Sequence, residues 1–330
     1  AQSMPYSNQT KNGYKLHIPY GDDGRDLFAQ YCRYFAQNVS SQYYEIWNEF
    51  DSPAGKSYNM NGEDYRNYGN LLVKSADTVY SCDSDAEIIA VVSGSKSTHE
   101  KSIKRVIELI GAGKAENTLD KYFNIASAHP YHWNDNPLFA EYTDTGKMTD
   151  MYKHMKEIRD LYDSYNLKNT RLYVTEVAWS PHYTAYNEYG AFPDNKNIIA
   201  DPSKAIRKPI TEKQQGSYLV QTYVMMKKDN LVEKFMPYLF VRQTNVRVDR
   251  DKNMGILKNY KSYLEDVPLA ATNAYLAVSN MNMLLANAQY VSDFYFDDTS
   301  KTAVCYRYRQ NNGNDIAVLW SAKEDGENVS

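Results

Sequence analysis

The period of hydrophobic positions changes along the chain, and the changes mark its elements. Residues 25–38 (RDLFAQYCRYFAQN) place Leu27, Tyr31, Tyr34 and Phe35 at helical spacing. A short apolar run at 43–47 (YYEIW) predicts a strand that runs into Asn48-Glu49. Helical spacing returns over 63–80, and Ile88 to Val92 reads as a strand closed by Ser93-Gly94. Residues 99–112 predict a helix, and 122–128 (YFNIASA) a strand ending at His129-Pro130-Tyr131. The helix expected over 147–165 has Met151, Met155, Ile158, Leu161 and Tyr162 on one face. The strand 171–175 (RLYVT) ends at Glu176. A loop rich in Tyr, Pro and Asn covers 179–210. A helix at 211–228 and a strand near 234–241 (KFMPYLFV) come next. The amphipathic stretch 268–288 then gives way to period two over 289–296, 302–309 and 315–321. Asn311-Asn312-Gly313-Asn314 supplies a hairpin turn between the last two strands.

Repeated strand–helix units imply a parallel sheet covered by helices. The strand tips fall at 47, 92, 129, 175 and 241, a spacing that suits an α/β fold of the (β/α)8 TIM barrel type with elaborated loops. Length agrees loosely: 330 residues at about 150 per domain give roughly two domains. The formal net charge of −4 lacks the basic footprint of a nucleic-acid binder. No apolar run reaches the length of a membrane span. The first residues carry no basic-then-apolar signal segment, although a cleaved signal would leave the same trace; secretion or a periplasmic location is expected, with a cytoplasmic one as the alternative. Three scattered cysteines make neither a disulfide framework nor a zinc ribbon. The 31 tyrosines fit dense packing, or stacking platforms for flat ligands such as sugar rings.

Two carboxylates stand out by position. Glu49 lies just past one strand and Glu176 just past another, where barrel enzymes keep their sites. Glycoside hydrolysis needs two facing carboxyl groups. One is protonated and donates to the leaving oxygen; the other is ionised and attacks the anomeric carbon or activates water. Burial and like-charge repulsion divide such a pair into these roles.

With these residues in place, the chain resembles the retaining glycoside hydrolase superfamily called clan A. The strings YYEIWNEFD and LYVTEVAWS look most like its β-xylosidase-type families, and the final helix followed by strands resembles their last barrel helix and appended β-sandwich. The resemblance implies that Glu49 ends the fourth barrel strand as acid/base and Glu176 ends the seventh as nucleophile. It implies that Asn48 bonds the sugar 2-hydroxyl, and that His129 and Tyr131 form the His-x-Tyr pattern near such sites, Tyr131 donating to Glu176. Trp133, Trp179 and Tyr238 are further candidates for the sugar pocket, with ordinary packing as their alternative, and Tyr183, Tyr186 and Tyr189 are candidate subsite walls. The superfamily's aromatic at the end of the eighth strand, often Trp, falls here at Tyr238 or Phe240. The segment HPYHWND could suggest a metal through His129 or His132, but a third ligand is not evident, and no cofactor is expected.

On this reading residues 1–288 hold barrel strands four to eight with the C-terminal helix, and 289–330 open a β-sandwich. The first three strands have no counterpart, so a companion segment or an oligomer would complete the barrel. The expected partner is a carbohydrate, cleaved by double displacement across carboxyl groups about 5–5.5 Å apart. The alternative is a non-catalytic carbohydrate-binding protein on the same scaffold.

Overall fold

The computed structural model describes residues 18–51, 60–111, 118–131, 137, 141–142, 147–148, 151–181, 210–242, 254–258, 269–294 and 303–321. In chain order the helices are α1 (Gly21–Asn38), α2 (Gly62–Tyr80), α3 (Lys96–Ile110), α4 (Met151–Ser164), α5 (Glu212–Lys227) and α6 (Asn273–Leu285). The strands are β1 (Tyr43–Glu45), β2 (Glu87–Ala90), β3 (Ile125–Ala128), β4 (Glu141–Tyr142), β5 (Lys147–Met148), β6 (Arg171–Val177), β7 (Lys234–Pro237), β8 (Leu257–Lys258), β9 (Ala270–Ala271), β10 (Gln289–Asp293), β11 (Ala303–Arg309) and β12 (Asp315–Ser321). Among the described residues no helix is long and apolar enough to cross a membrane. The chain forms two compact units: residues 1–130 with 156–175, and residues 131–155 with 176–330.

In the first unit β1, β2, β3 and β6 lie side by side and parallel, in that order. Tyr44 pairs with Ile88, Ala90 with Ala126, and Ala128 with Val174. Strand alternation then sorts the side chains onto two faces. Tyr44, Ile46, Ile88, Ala90, Ala126, Ala128, Leu172 and Val174 share one face, and all are buried. The helices bring matching apolar stripes, with Phe28, Leu71, Leu72, Ile103 and Val106 buried. The other face begins with the cluster Tyr43, Ile89, Ile125 and Tyr173. Toward the strand ends that face turns polar, with Ser127, His129 and Thr175.

Local chemistry explains where these helices start and stop. Asn61 and Asp64 form a reciprocal capping box at the head of α2. Ser95 caps α3, which ends at Gly111 with φ +86°, a conformation natural only to glycine. The strand expected from residue 122 begins only at Ile125, because residues 119–122 form a 3-10 turn. Asn124 holds that turn: its Oδ1 accepts from Ile88 N and Tyr80 Oη at 2.8 Å each.

In the second unit α5 packs on α6, and Gly216 permits the approach. A Cβ there would meet the Ala274 Cα and the Asn273 carbonyl at 3.2 Å. Val224, Met281, Leu285, Ala288 and Tyr308 form a buried core between these helices and the antiparallel sheet β10-β11-β12. The period-two segments therefore form strands as expected, with Gly313 at φ +87° in the hairpin turn. Two strand pairs were not anticipated, β4 with β5 and β8 with β9. Both strands of each are two residues long, too short to carry a hydrophobic period, and the helix expected from 147 starts at Met151.

Candidate functional site

Glu49 sits on an unusual stretch of backbone. Just past β1, Ile46 N–H donates to Ile89 O at 3.1 Å, and Glu49 N–H to Val92 O at 3.2 Å. Between these anchors Trp47 has φ +66° and Glu49 φ +40°. Non-glycine residues seldom occupy this left-handed region, and such conformations cluster at functional sites. Aromatic packing holds the segment: Phe50 stacks on Tyr68 with centroids 3.9 Å apart, and Trp47 meets Phe28 edge-on at 5.4 Å. Asn48 is exposed at the tip, and Glu49 is half-buried.

His129, buried at the end of β3, connects Glu49 to a chain of hydroxyls. Its Nδ1 lies 2.8 Å from Glu49 Oε1 and its Nε2 3.0 Å from Thr175 Oγ1. Thr175 Oγ1 in turn bonds Ser127 Oγ. With Glu49 Oε1 as the acceptor and the ring neutral, Nδ1–H donates to Glu49. Nε2 then accepts from Thr175, and Thr175 accepts from Ser127. The chain fixes the ring's tautomer and its orientation toward Glu49. Thr175 and Ser127 were not among the residues expected at the site. Ser127 lies two positions before His129, on the same strand face, and that spacing is the signal that would have found it.

In the second unit Tyr131 Oη donates to Glu176 Oε2 at 3.0 Å. Glu176 is the next-to-last residue of β6, so backbone pairing on a strand fixes its Cα. Tyr238 N–H donates to Val177 O at 2.9 Å, which carries the pairing past the end of β7 and holds the half-buried Tyr238 beside the tip of β6. Trp179 is fully buried, edge-on to Tyr218 at 5.8 Å. That burial fits the packing alternative given for it. The buried Gln215 amide donates to the carbonyls of Trp179 and Met254, at 2.7 and 2.9 Å. Trp133, His132, Tyr183, Tyr186 and Tyr189 lie outside the described residues.

One further cluster orders this unit. The buried Arg242 donates Nη1 to Glu212 Oε1 at 2.9 Å and Nε to Gly255 O at 3.1 Å, and Lys258 Nζ reaches Glu212 at 3.2 Å. Burial alone would raise the Glu212 carboxyl, but Arg242 and Lys258 outweigh it and hold the group below its ordinary range. The cluster ties the head of α5 to the segment after β7.

No protein family matches the chain, and no curated protein does so. Solved structures do. The chain is similar to a family 39 glycoside hydrolase from the gut symbiont Bacteroides cellulosilyticus WH2, at 16% identity and TM-score 0.62, covering 94% of this chain and 55% of that one. It is similar to a glucosidase from Croceicoccus marinus, at 12% identity and TM-score 0.55, covering 95% of this chain and 62% of that one. An α-L-arabinofuranosidase from Thermotoga maritima matches at 11% identity and TM-score 0.50, covering 94% and 57%. At such identities the likeness is one of fold. The chain spans between 55% and 62% of the length of these structures.

Proposed function

We propose that this chain carries the catalytic residues of a retaining β-glycosidase acting on xyloside- or glucoside-type substrates, on a scaffold of the (β/α)8 kind. The observation that carries the proposal is the support given to each carboxylate. Glu176 is held at the end of a parallel strand and accepts from Tyr131, and Glu49 is held past another such strand and accepts from His129. The glycoside hydrolase neighbours support the scaffold.

In this reading Glu176 attacks the anomeric carbon as the bond to the leaving oxygen breaks, and the Glu49 carboxyl gives its proton to that oxygen. Water then enters from the side the leaving group vacated. Glu49 takes a proton from it, the water oxygen bonds the anomeric carbon, and the ester to Glu176 breaks. Tyr131 orients the nucleophile, and the Ser127–Thr175–His129 chain orients the acid/base.

A 2-deoxy-2-fluoro glycosyl fluoride tests the assignment, because it slows release of the covalent intermediate more than its formation. Mass spectrometry of the digested protein is expected to find the sugar on the peptide containing Glu176. Glu176→Gln and Glu49→Gln are each expected to abolish nearly all turnover of a phenyl β-glycoside. A label on another residue, or turnover that survives either change, overturns the assignment. Sugar binding without any turnover by the unmodified protein would favour the carbohydrate-binding alternative.

A further inference from the structure

The left-handed backbone at Trp47 and Glu49 poses a mechanical question. Strained non-glycine conformations persist only where the surroundings over-determine them. Before Glu49 the chain is anchored by β1 pairing and the Ile46 hydrogen bond. After it the anchor is Asp51, a residue the catalytic reading does not use. Two hydroxyls donate to one of its oxygens: Ser93 Oγ and Thr98 Oγ1 each lie 2.6 Å from Asp51 Oδ2. Ser93 comes from the turn after β2, and Thr98 from the first turn of α3, where a helix favours negative charge.

Both donors are themselves immobilised. Ser93 Oγ accepts from Ser95 N at 3.0 Å, and Ser93 O accepts from His99 Nε2 at 3.1 Å. Because Nε2 donates to a carbonyl, His99 Nδ1 accepts from Tyr162 Oη, 3.0 Å away and fully buried. Thr98 is fixed by its helix. The carboxylate of Asp51 is thus clamped to a rigid post two residues from Glu49. Desolvation pushes its carboxyl above the ordinary range, the Ser93, Thr98 and backbone hydrogen bonds oppose that, and the Glu49 charge adds to the rise.

We propose that Asp51 is a positioning residue for the acid/base, latching the strained 47–50 segment to Ser93 and Thr98 so that the Glu49 carboxyl stays on the line of proton transfer. This rests on the glycosidase reading. Misplacing a reacting group by about 1 Å can cost on the order of a hundredfold in rate. The loss should fall only on chemistry that needs the proton.

Leaving-group dependence separates this role from a merely structural one. A 2,4-dinitrophenyl β-glycoside departs without protonation, whereas a phenyl β-glycoside requires it. Asp51→Ala is expected to lower kcat/KM for the phenyl substrate by about ten- to a hundredfold, with less than about threefold loss on the dinitrophenyl substrate. Azide, which attacks without a base, is expected to raise kcat of Asp51→Ala on the dinitrophenyl substrate. Asp51→Asn keeps an oxygen for both hydroxyls and is expected to restore the phenyl activity. Thr98→Val, which removes one of the two donors, is expected to show the same selectivity to a smaller degree, and it decides the matter where Asp51→Ala fails to fold. Equal losses on both substrates, or no loss on either, overturn the proposal. An unmodified protein that turns over no glycoside overturns the functional reading, and this inference with it.

Discussion

Tyr308→Phe removes one oxygen from the interior of the second unit and leaves the ring in place. Tyr308 is fully buried, and its Oη donates to Val224 O at 2.6 Å. Val224 lies in the last turn of α5, where the final four carbonyls have no partner within the helix. The N–H of Lys228, the next candidate donor, bonds Met225 O instead. The tyrosine hydroxyl therefore caps a helix end that the helix cannot cap itself. Without it a buried carbonyl loses its partner, which costs about 1–3 kcal/mol. The aromatic contact to Tyr290, 5.9 Å centroid to centroid, survives the change and adds nothing to the loss. Urea titration followed by far-UV circular dichroism is the assay, with the slope of the transition expected to stay constant. The melting temperature is expected to fall by about 2–4 °C for each kcal/mol lost. A destabilisation under about 0.5 kcal/mol at unchanged slope would refute the capping argument, since even an ordinary hydrogen bond with no burial cost is worth at least about that.

Three other outcomes follow from the same interior groups and from the site. Burial raises the phenols of Tyr68 and Tyr308 above their ordinary value, so the unfolded chain loses those protons first. Their stabilisation is present below about pH 10 and is lost as pH rises through the folded values, and either Phe variant should flatten the alkaline fall in melting temperature. Glu212→Gln leaves the Arg242 guanidinium buried without its carboxylate, at a cost of about 3 kcal/mol near pH 7. Because the Glu212 carboxyl is held low, its contribution is present above about pH 4.3 and lost as pH falls through the folded value, so variant and parent should converge in acid urea titrations. Tyr131→Phe removes the hydroxyl that donates to Glu176 and is expected to lower kcat on a phenyl β-glycoside about tenfold with little change in KM. An unchanged kcat would deny Tyr131 the orienting role.

How much was legible in the sequence follows the range of the interactions. The strands ending near Trp47, Val92, His129 and Thr175 announce themselves by short apolar runs, and each lies within a few residues of its observed place. Glu49 and Glu176 stand out because a charge directly after such a run is conspicuous. Trp179 also follows such a run, and there the sequence left a sugar platform and ordinary packing open. Its burial against Tyr218, 39 positions away, is not written in any local window. Ser127 is marked only by its spacing from His129, and Thr98 carries no local mark at all. A serine in a strand and a threonine in a helix's first turn are common, and their work depends on partners 48 and 47 positions away.

Local periodicity alone determined the order of the longer helices and strands, the parallel arrangement of the strand–helix units, the change to an antiparallel sheet near residue 289, and which carboxylates end the strands. These depend on neighbours within a turn or two of chain. Only the tertiary structure decided that a tyrosine 84 positions distant caps α5, that His129 joins Glu49 to Thr175, and that Asp51 is clamped beside α3. The reason is physical. A buried polar atom must find a partner, and which partner it finds depends on what folding places beside it, information that no window of sequence contains.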